Sequence, residues 1–232
     1  MSAHGSLDLA RPCNGRLESV NTGSPRSVKY RRGIIETSIW KYPIEGSVEV
    51  RGNHVGDDVQ SDLKVHGGRD KAVYAYASED LEWWSSALGR RLAPGTFGEN
   101  LTVSGLRVSD SVVGEQWRIG GCVLQVTEPR LPCFKLGLRM GDPRFLKRFA
   151  RAVRFGSYLR IVEEGQVRAG DAVDVIHRPA HGVSVALMGR SRLEDPSLGN
   201  QLLAAPEIPD RWRRRLENEV LSHHDLRTRG SS

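Results

Sequence analysis

Between Gly15 and His177 the chain breaks into strand-length stretches, each closed by glycine or turn residues, and this spacing limits the fold more than any other feature. Residues 15–20, 33–40, 117–119, 122–127, 157–163 and 172–176 read as strands. Gly120-Gly121 reads as a tight hairpin turn and Glu164-Gly165 as turn material. In the fourth stretch Cys122, Leu124 and Val126 share one parity, which puts them on one face, directed inward. Strands this short and this closely spaced predict a compact β-barrel rather than alternating βαβ units. Two helices interrupt the pattern. Ser78 is placed to cap the first, Leu81, Trp84 and Leu88 form its apolar stripe, and Gly89 ends it. Asp142-Pro143 opens the second, with Phe145, Phe149 and Val153 facing the core.

After His177 the character changes. Residues 178–182 read as a linker, followed by three short helical segments near 183–190, 197–204 and 210–222, broken by Asp195-Pro196 and by Pro206 and Pro209. The expected organisation is a leader over 1–14, a barrel over 15–177, a three-helix tail over 183–226 and a disordered end over 227–232. The class is mainly β, or α+β.

The chain has 232 residues, 38% hydrophobic and 27% charged, a soluble globular mix. No apolar run reaches membrane-spanning length, and the first residues lack a secretory apolar stretch. Three cysteines, Cys13, Cys122 and Cys133, cannot build a disulfide scaffold, so a cytoplasmic location is expected. The net charge of +6 invites a nucleic-acid reading. Its distribution argues against one: the first 33 residues carry six Lys/Arg against two Asp/Glu, the last 22 carry six against three, and the middle is close to neutral. Arg211, Arg213, Arg214 and Arg215 read as a solvated helix face, and His223-His224 as exposed. Residues 128–154 hold eight basic side chains against two acidic ones, a local excess suited to a small anionic ligand.

Three stretches carry chemistry. In the first, Gly67-Gly68 lets backbone N–H groups turn toward an anion, Lys64, Arg69 and Lys71 add charge, and His66 can hydrogen-bond a ligand or order the loop. A plain turn with exposed charges remains open for this stretch. In the second, Gly95 and Gly98 flank a polar pair and allow close backbone approach, and Asn100 can both donate and accept. In the third, Pro129 and Pro132 hold the chain extended before Cys133, which Arg130 and Lys135 bracket. Positive neighbours favour the thiolate, the form that attacks or binds metal, so Cys133 reads as reactive or metal-ligating. Cys122, at an apolar strand position, reads as inert packing, and so does Cys13 in the leader. The chain has no structural zinc spacing, Walker loop, G-x-G-x-x-G or nucleophile-elbow serine.

In this order the stretches GDDVQSDLKVHGGRDKAVYAY, GTFGENLTVSGL, VGEQWRIGG and VTEPRLPCFKL resemble the MOSC domain, named after the C-terminal domain of molybdenum cofactor sulfurases. The tail HGVSVALM…LLAAPEIPDRWRRRLE resembles the three-helix module of a bacterial stand-alone branch, so the likeness spans roughly residues 15–225. The resemblance implies a β-rich barrel and the molybdenum cofactor, a pyranopterin dithiolene ending in a phosphate, with Cys133 as protein ligand to the metal. The residue chemistry fits that cofactor: Lys64, His66, Gly67, Gly68, Arg69, Gly98, Asn100, Arg130 and Lys135 are expected around it, with Asn100 toward the pterin edge and His66 a candidate proton donor. The resemblance further implies reduction of N-hydroxylated compounds (hydroxylaminopurines, amidoximes, hydroxylamines) with electrons from an outside flavin or iron–sulfur reductase, and a homodimer. A non-catalytic cofactor carrier or sulfur-transfer module is the alternative. Neither membrane nor nucleic acid is expected as a partner.

Overall fold

The computed structural model describes residues 14–60 and 67–229. The leader to residue 13 with Cys13, the segment 61–66 with Lys64 and His66, residues 230–232 and the side chains from 220 onward lie outside the described residues.

The strands, in chain order, are β1 (Asn14–Thr22), β2 (Arg26–Tyr30), β3 (Gly33–Thr37), β4 (Tyr42–Ile44), β5 (Val48–Arg51), β6 (His54–Val55), β7 (Val73–Ala77), β8 (Leu101–Ser104), β9 (Gln116–Ile119), β10 (Cys122–Pro129), β11 (Ser157–Glu163), β12 (Gly165–Val167) and β13 (Ala172–His177). The helices are α1 (Ser78–Leu88), α2 (Phe134–Met140), α3 (Phe145–Ala152), α4 (Val185–Leu193), α5 (Gly199–Leu202) and α6 (Asp210–Arg229).

Strands β13, β9, β10, β11, β7, β8 and β1 are successive neighbours, and β13 pairs back onto β1. Seven strands therefore close a barrel, and β4 extends the sheet from β1. Closure removes most of the unpaired sheet edge. The Gly120-Gly121 turn joins β9 to β10 with Cys122 opposite Ile119, as expected. Cys122, Leu124 and Val126 enter the barrel core beside Leu17, Trp117 and Leu159. Burial first, and Asp171 second, push the Cys122 thiol up to about 12, which fits inert packing.

Among the described residues only β7 and β8 pair in parallel. A parallel pair needs a crossover, and α1 supplies it. This brings the residues before β7 and before β8 to one end of the barrel. β1 runs antiparallel to β8 with Val20 opposite Leu101, so its exit reaches that same end. Asn21 N–H donates to Asn100 O (2.6 Å) and Asn100 N–H to Tyr74 O (2.8 Å), tying the three chain segments together. A second apolar cluster joins α1 and α3 to this end through Trp84, Phe97, Phe145 and Phe149, with Trp84 and Phe145 centroids 4.8 Å apart.

Several sequence expectations are corrected. Ser78 is the first residue of α1 rather than its cap; Ala77 takes the cap position, and Ser78 Oγ bonds Glu79. Gly89 ends the helix in the left-handed region, as expected. α3 begins at Phe145, although Asp142 does receive the Arg144 N–H (2.9 Å). Val153 is the left-handed residue that ends α3. Gly165 is a strand residue, opposite Val50. The stretch 33–40 ends as a strand at Thr37 and is the second arm of a hairpin with β2. α2 was not foreseen: seven residues that include a glycine carry too weak a local helix signal.

The tail docks on the barrel. Met188, Leu202, Trp212 and Leu216 share a cluster with Val113 of the barrel. Gly189 lies so close to Phe155 that a Cβ there would sit 2.1 Å from the ring. The linker is tied down as well, with Arg178 paired to buried Glu115 at 2.7 Å. Arg211 is not merely solvated, because it pairs with buried Glu128. α6 continues to Arg229, past the helix end expected near 222.

Candidate functional site

The end of the barrel where β7 and β8 begin carries a pocket open to solvent. Four sets of residues converge on it: Thr37 to Lys41 below the β2–β3 hairpin, Asp58 to Gln60, Lys71 to Tyr74 with Gly98 and Asn100, and Arg130, Cys133 and Lys135. Tyr158 of β11 completes the wall.

Cys133 is the residue before α2 and is partly exposed. Its sulfur lies 3.7 Å from Arg130 Nη2. Arg130 is buried, 4% exposed, with its guanidinium over the Phe149 ring at 6.0 Å. Burial alone would lower the Arg130 pKa, but the Cys133 sulfur and the Tyr158 and Tyr74 hydroxyls hold it above its ordinary value. A permanent cation is thus fixed against the sulfur. Lys135 is buried in the first turn of α2. Tyr30 stacks on Phe134 at 4.4 Å, so the β2–β3 hairpin is clamped to the residue after Cys133.

Opposite stands a buried network. Asp58 Oδ2 accepts from Lys41 Nζ and from Asn100 Nδ2 (2.9 Å), and Asp58 Oδ1 from Gly23 N–H (2.9 Å). Desolvation lowers the Lys41 pKa even against the pull of Asp58. Lys71 Nζ sits over the Tyr158 ring at 5.4 Å. Glu99, fully buried, accepts from Gly95 N–H (2.6 Å) and Phe97 N–H (2.9 Å) and ties the loop before β8; burial pushes its carboxyl up to about 7.

Of the residues singled out in the sequence, the structure brings Cys133, Arg130, Lys135, Asn100 and Gly98 together around one pocket. Asn100 works mainly inside the protein: its Oδ1 accepts from Tyr74 N–H (3.1 Å) and its Nδ2 serves Asp58 and Asn21 O. The close approach made possible by the glycines is to the chain itself. Gly95 (φ +83°) lies where a Cβ would be 2.5 Å from Lys41 O, and Gly98 (φ +81°) where it would be 2.9 Å from Ile39 Cγ1. Gly67, Gly68 and Arg69 do not line the pocket; Gly68 N–H donates to Gln60 Oε1 (2.9 Å), and Arg69 is exposed. Lys64 and His66 lie outside the described residues. The basic excess over 128–154 is not one patch. Arg144, Lys147, Arg148 and Arg151 face solvent, and Arg154 pairs with Asp80. Sequence reasoning missed Lys41, Asp58 and Tyr158. Lys41 follows Trp40 at the end of a stretch read as strand, and nothing local marks it as buried; Asp58 sat inside a quoted motif without a partner to give it meaning.

Residues 62–174 match the model of the MOSC domain family. The protein YflK of Bacillus subtilis is 34% identical over 198 residues, covering 84% of this chain and 90% of that protein. The chain belongs to the MOSC domain family. A protein of Gibberella moniliformis named "Reductase" is 33% identical over 225 residues, which span 90% of this chain and 40% of that protein. The crystal structure of YiiM from Geobacillus stearothermophilus superposes with a TM-score of 0.73 at 28% identity, covering 88% of this MOSC chain and 98% of that one. MOSC domains are associated with the molybdenum cofactor. The residues present fit that group. Among the described residues no three His, Cys, Asp or Glu side chains gather to hold a bare metal ion. The pocket instead offers one soft donor, Cys133, to a metal that arrives with its own sulfurs, and buried cations to its phosphate. Among the described residues no helix is long and apolar enough to cross a membrane.

Proposed function

We propose that the protein holds the molybdenum cofactor in this pocket, with Cys133 as the protein's ligand to the metal, and that it is a cytoplasmic reductase of N-hydroxylated compounds. Each turnover converts a hydroxylamine-type substrate, two electrons and two protons into an amine and water. The electrons come from a separate flavin or iron–sulfur reductase. When bound, the cofactor supplies the two-electron chemistry; the protein binds, orients and tunes it. Arg130 balances the charge of the sulfur, and Lys41, Lys71 and Lys135 supply the positive field that an anionic pterin phosphate needs. His66 is the candidate proton donor, since an unperturbed imidazole titrates near working pH.

The observation that carries this reading is the Cys133 sulfur in an open pocket, 3.7 Å from a buried guanidinium. Its test is expression in hosts with and without cofactor synthesis, followed by elemental analysis and a 6-hydroxylaminopurine reduction assay with a competent donor. Molybdenum near one atom per chain together with turnover supports the reading. A protein free of molybdenum from the competent host overturns it. Bound pterin without turnover would favour the carrier alternative.

A further inference from the structure

Cys133 borders a second cavity, open to solvent, between the barrel and the C-terminal helices. Cys133, Lys71 and Tyr158 line both cavities, so the sulfur stands at a partition rather than at the bottom of one pocket. The far wall of the second cavity is basic. Arg192 comes from α4, and Arg211 and Arg215 come from α6. With Lys71 they make four cations, against Glu128 as the single carboxylate lining the cavity among the described residues. Arg215 is steadied by Glu219 (2.7 Å), and Arg192 is exposed and pairs with no carboxylate among the described residues.

Glu128 adds a different element. Its Oε2 accepts from Arg211 and from Trp212 Nε1 (2.8 Å), and its Oε1 is buried with no hydrogen-bond partner among the described residues. A buried oxygen without a donor is unfavourable by itself. Leu131, Pro132 and Tyr158 give the same cavity an apolar, partly aromatic side.

We propose that this cavity binds the substrate, and that the substrate class is phosphorylated: an N-hydroxylated nucleoside monophosphate. Arg192 and Arg215 take the phosphate, and the base packs on the Tyr158 side. A dianion matches several guanidinium groups better than a neutral base or nucleoside does. The phosphate could belong to the cofactor instead, but the first pocket holds its own cations, Lys41, Arg130 and Lys135. The proposal rests on the reading of that first pocket as the cofactor site. It gives the helical tail a role: α4 and α6 supply the arginines that the barrel lacks at this wall.

The test compares AMP with adenosine on the full chain by titration calorimetry, with and without loaded cofactor. AMP is expected to bind at least about tenfold tighter. Arg192→Gln/Arg215→Gln should close most of that gap, with the circular dichroism spectrum unchanged. Because Arg192 is exposed, Arg192→Glu alone should weaken AMP binding if the double variant does not fold. Equal affinities for AMP and adenosine, or unchanged AMP affinity in both variants, would overturn the proposal. So would a double variant that loses molybdenum while keeping AMP affinity, since the phosphate would then be the cofactor's. In turnover, kcat/KM for hydroxylaminopurine ribonucleoside monophosphate should exceed that for the nucleoside, with the ratio collapsing toward one in the double variant. A wild-type ratio of one also refutes it. If the protein reduces nothing, the calorimetry still decides this point separately from the reductase reading.

Discussion

Asp58→Asn is the sharpest probe of the pocket's internal order. Lys41 and Asp58 side chains are 9% and 8% exposed, so the pair is desolvated on both sides. Removing one partner of a buried pair costs about 3–5 kcal/mol, because the other charge is left uncompensated. Asparagine makes the mismatch worse. Its oxygen can still accept from Gly23 N–H, but its amide nitrogen then faces two donors, Lys41 Nζ and Asn100 Nδ2. For a chain of this size the loss corresponds to a fall in Tm on the order of 10 °C. Urea unfolding of the cofactor-free full chain, followed by circular dichroism, measures it. Lys41→Met should cost a similar amount, and the double variant should lose less than the sum, with a coupling of about 2 kcal/mol. A single-variant cost below about 1 kcal/mol, or additivity within about 0.5 kcal/mol, would show that the pair is wet and weak, and the buried network would be refuted.

Cys133→Ser should keep the fold and Tm within about 2 °C, while molybdenum content drops more than about tenfold, since oxygen is a poor ligand for a soft metal; unfolding instead would mark Cys133 as structural. Arg130→Ala should lower cofactor retention severalfold and also destabilise by about 1–3 kcal/mol, because a buried guanidinium over Phe149 is lost; wild-type molybdenum content would contradict this. Glu99 gives a pH signature. Its folded pKa is raised to about 7, so the folded chain holds a proton that the unfolded chain has released. Stability from this group is full below about 4.5 and lost as pH rises to about 7, by up to about 3 kcal/mol. The Tm difference between wild type and Glu99→Gln should therefore shift against wild type across that window, and a shift in its favour would refute the assignment. Gly189→Ala should destabilise by about 1–3 kcal/mol by driving a methyl into the Phe155 ring, read as a lower urea midpoint; an unchanged midpoint would mean that α4 is not docked as described.

The sequence by itself determined what is local. Residue parity placed Cys122, Leu124 and Val126 inward, Gly120-Gly121 set a hairpin, Gly89 stopped a helix, and prolines with a flanking arginine and lysine marked Cys133. Each of these rests on a period, a backbone preference or a charge within a few residues. Tertiary structure alone decided the rest. Lys41 and Asp58 are 17 residues apart and meet where β4 pairs with the exit of β1, with Asp58 held there by Gly23 N–H and Asn100 Nδ2. The eight basic residues of 128–154 look like one field in one dimension, but Arg144 and three residues of α3 face solvent. Arg211 looks solvated until its helix docks and Glu128 takes it, 83 residues away. Burial sets the energy of a charge, and burial depends on which distant segments pack together, a quantity that no local pattern of residues contains.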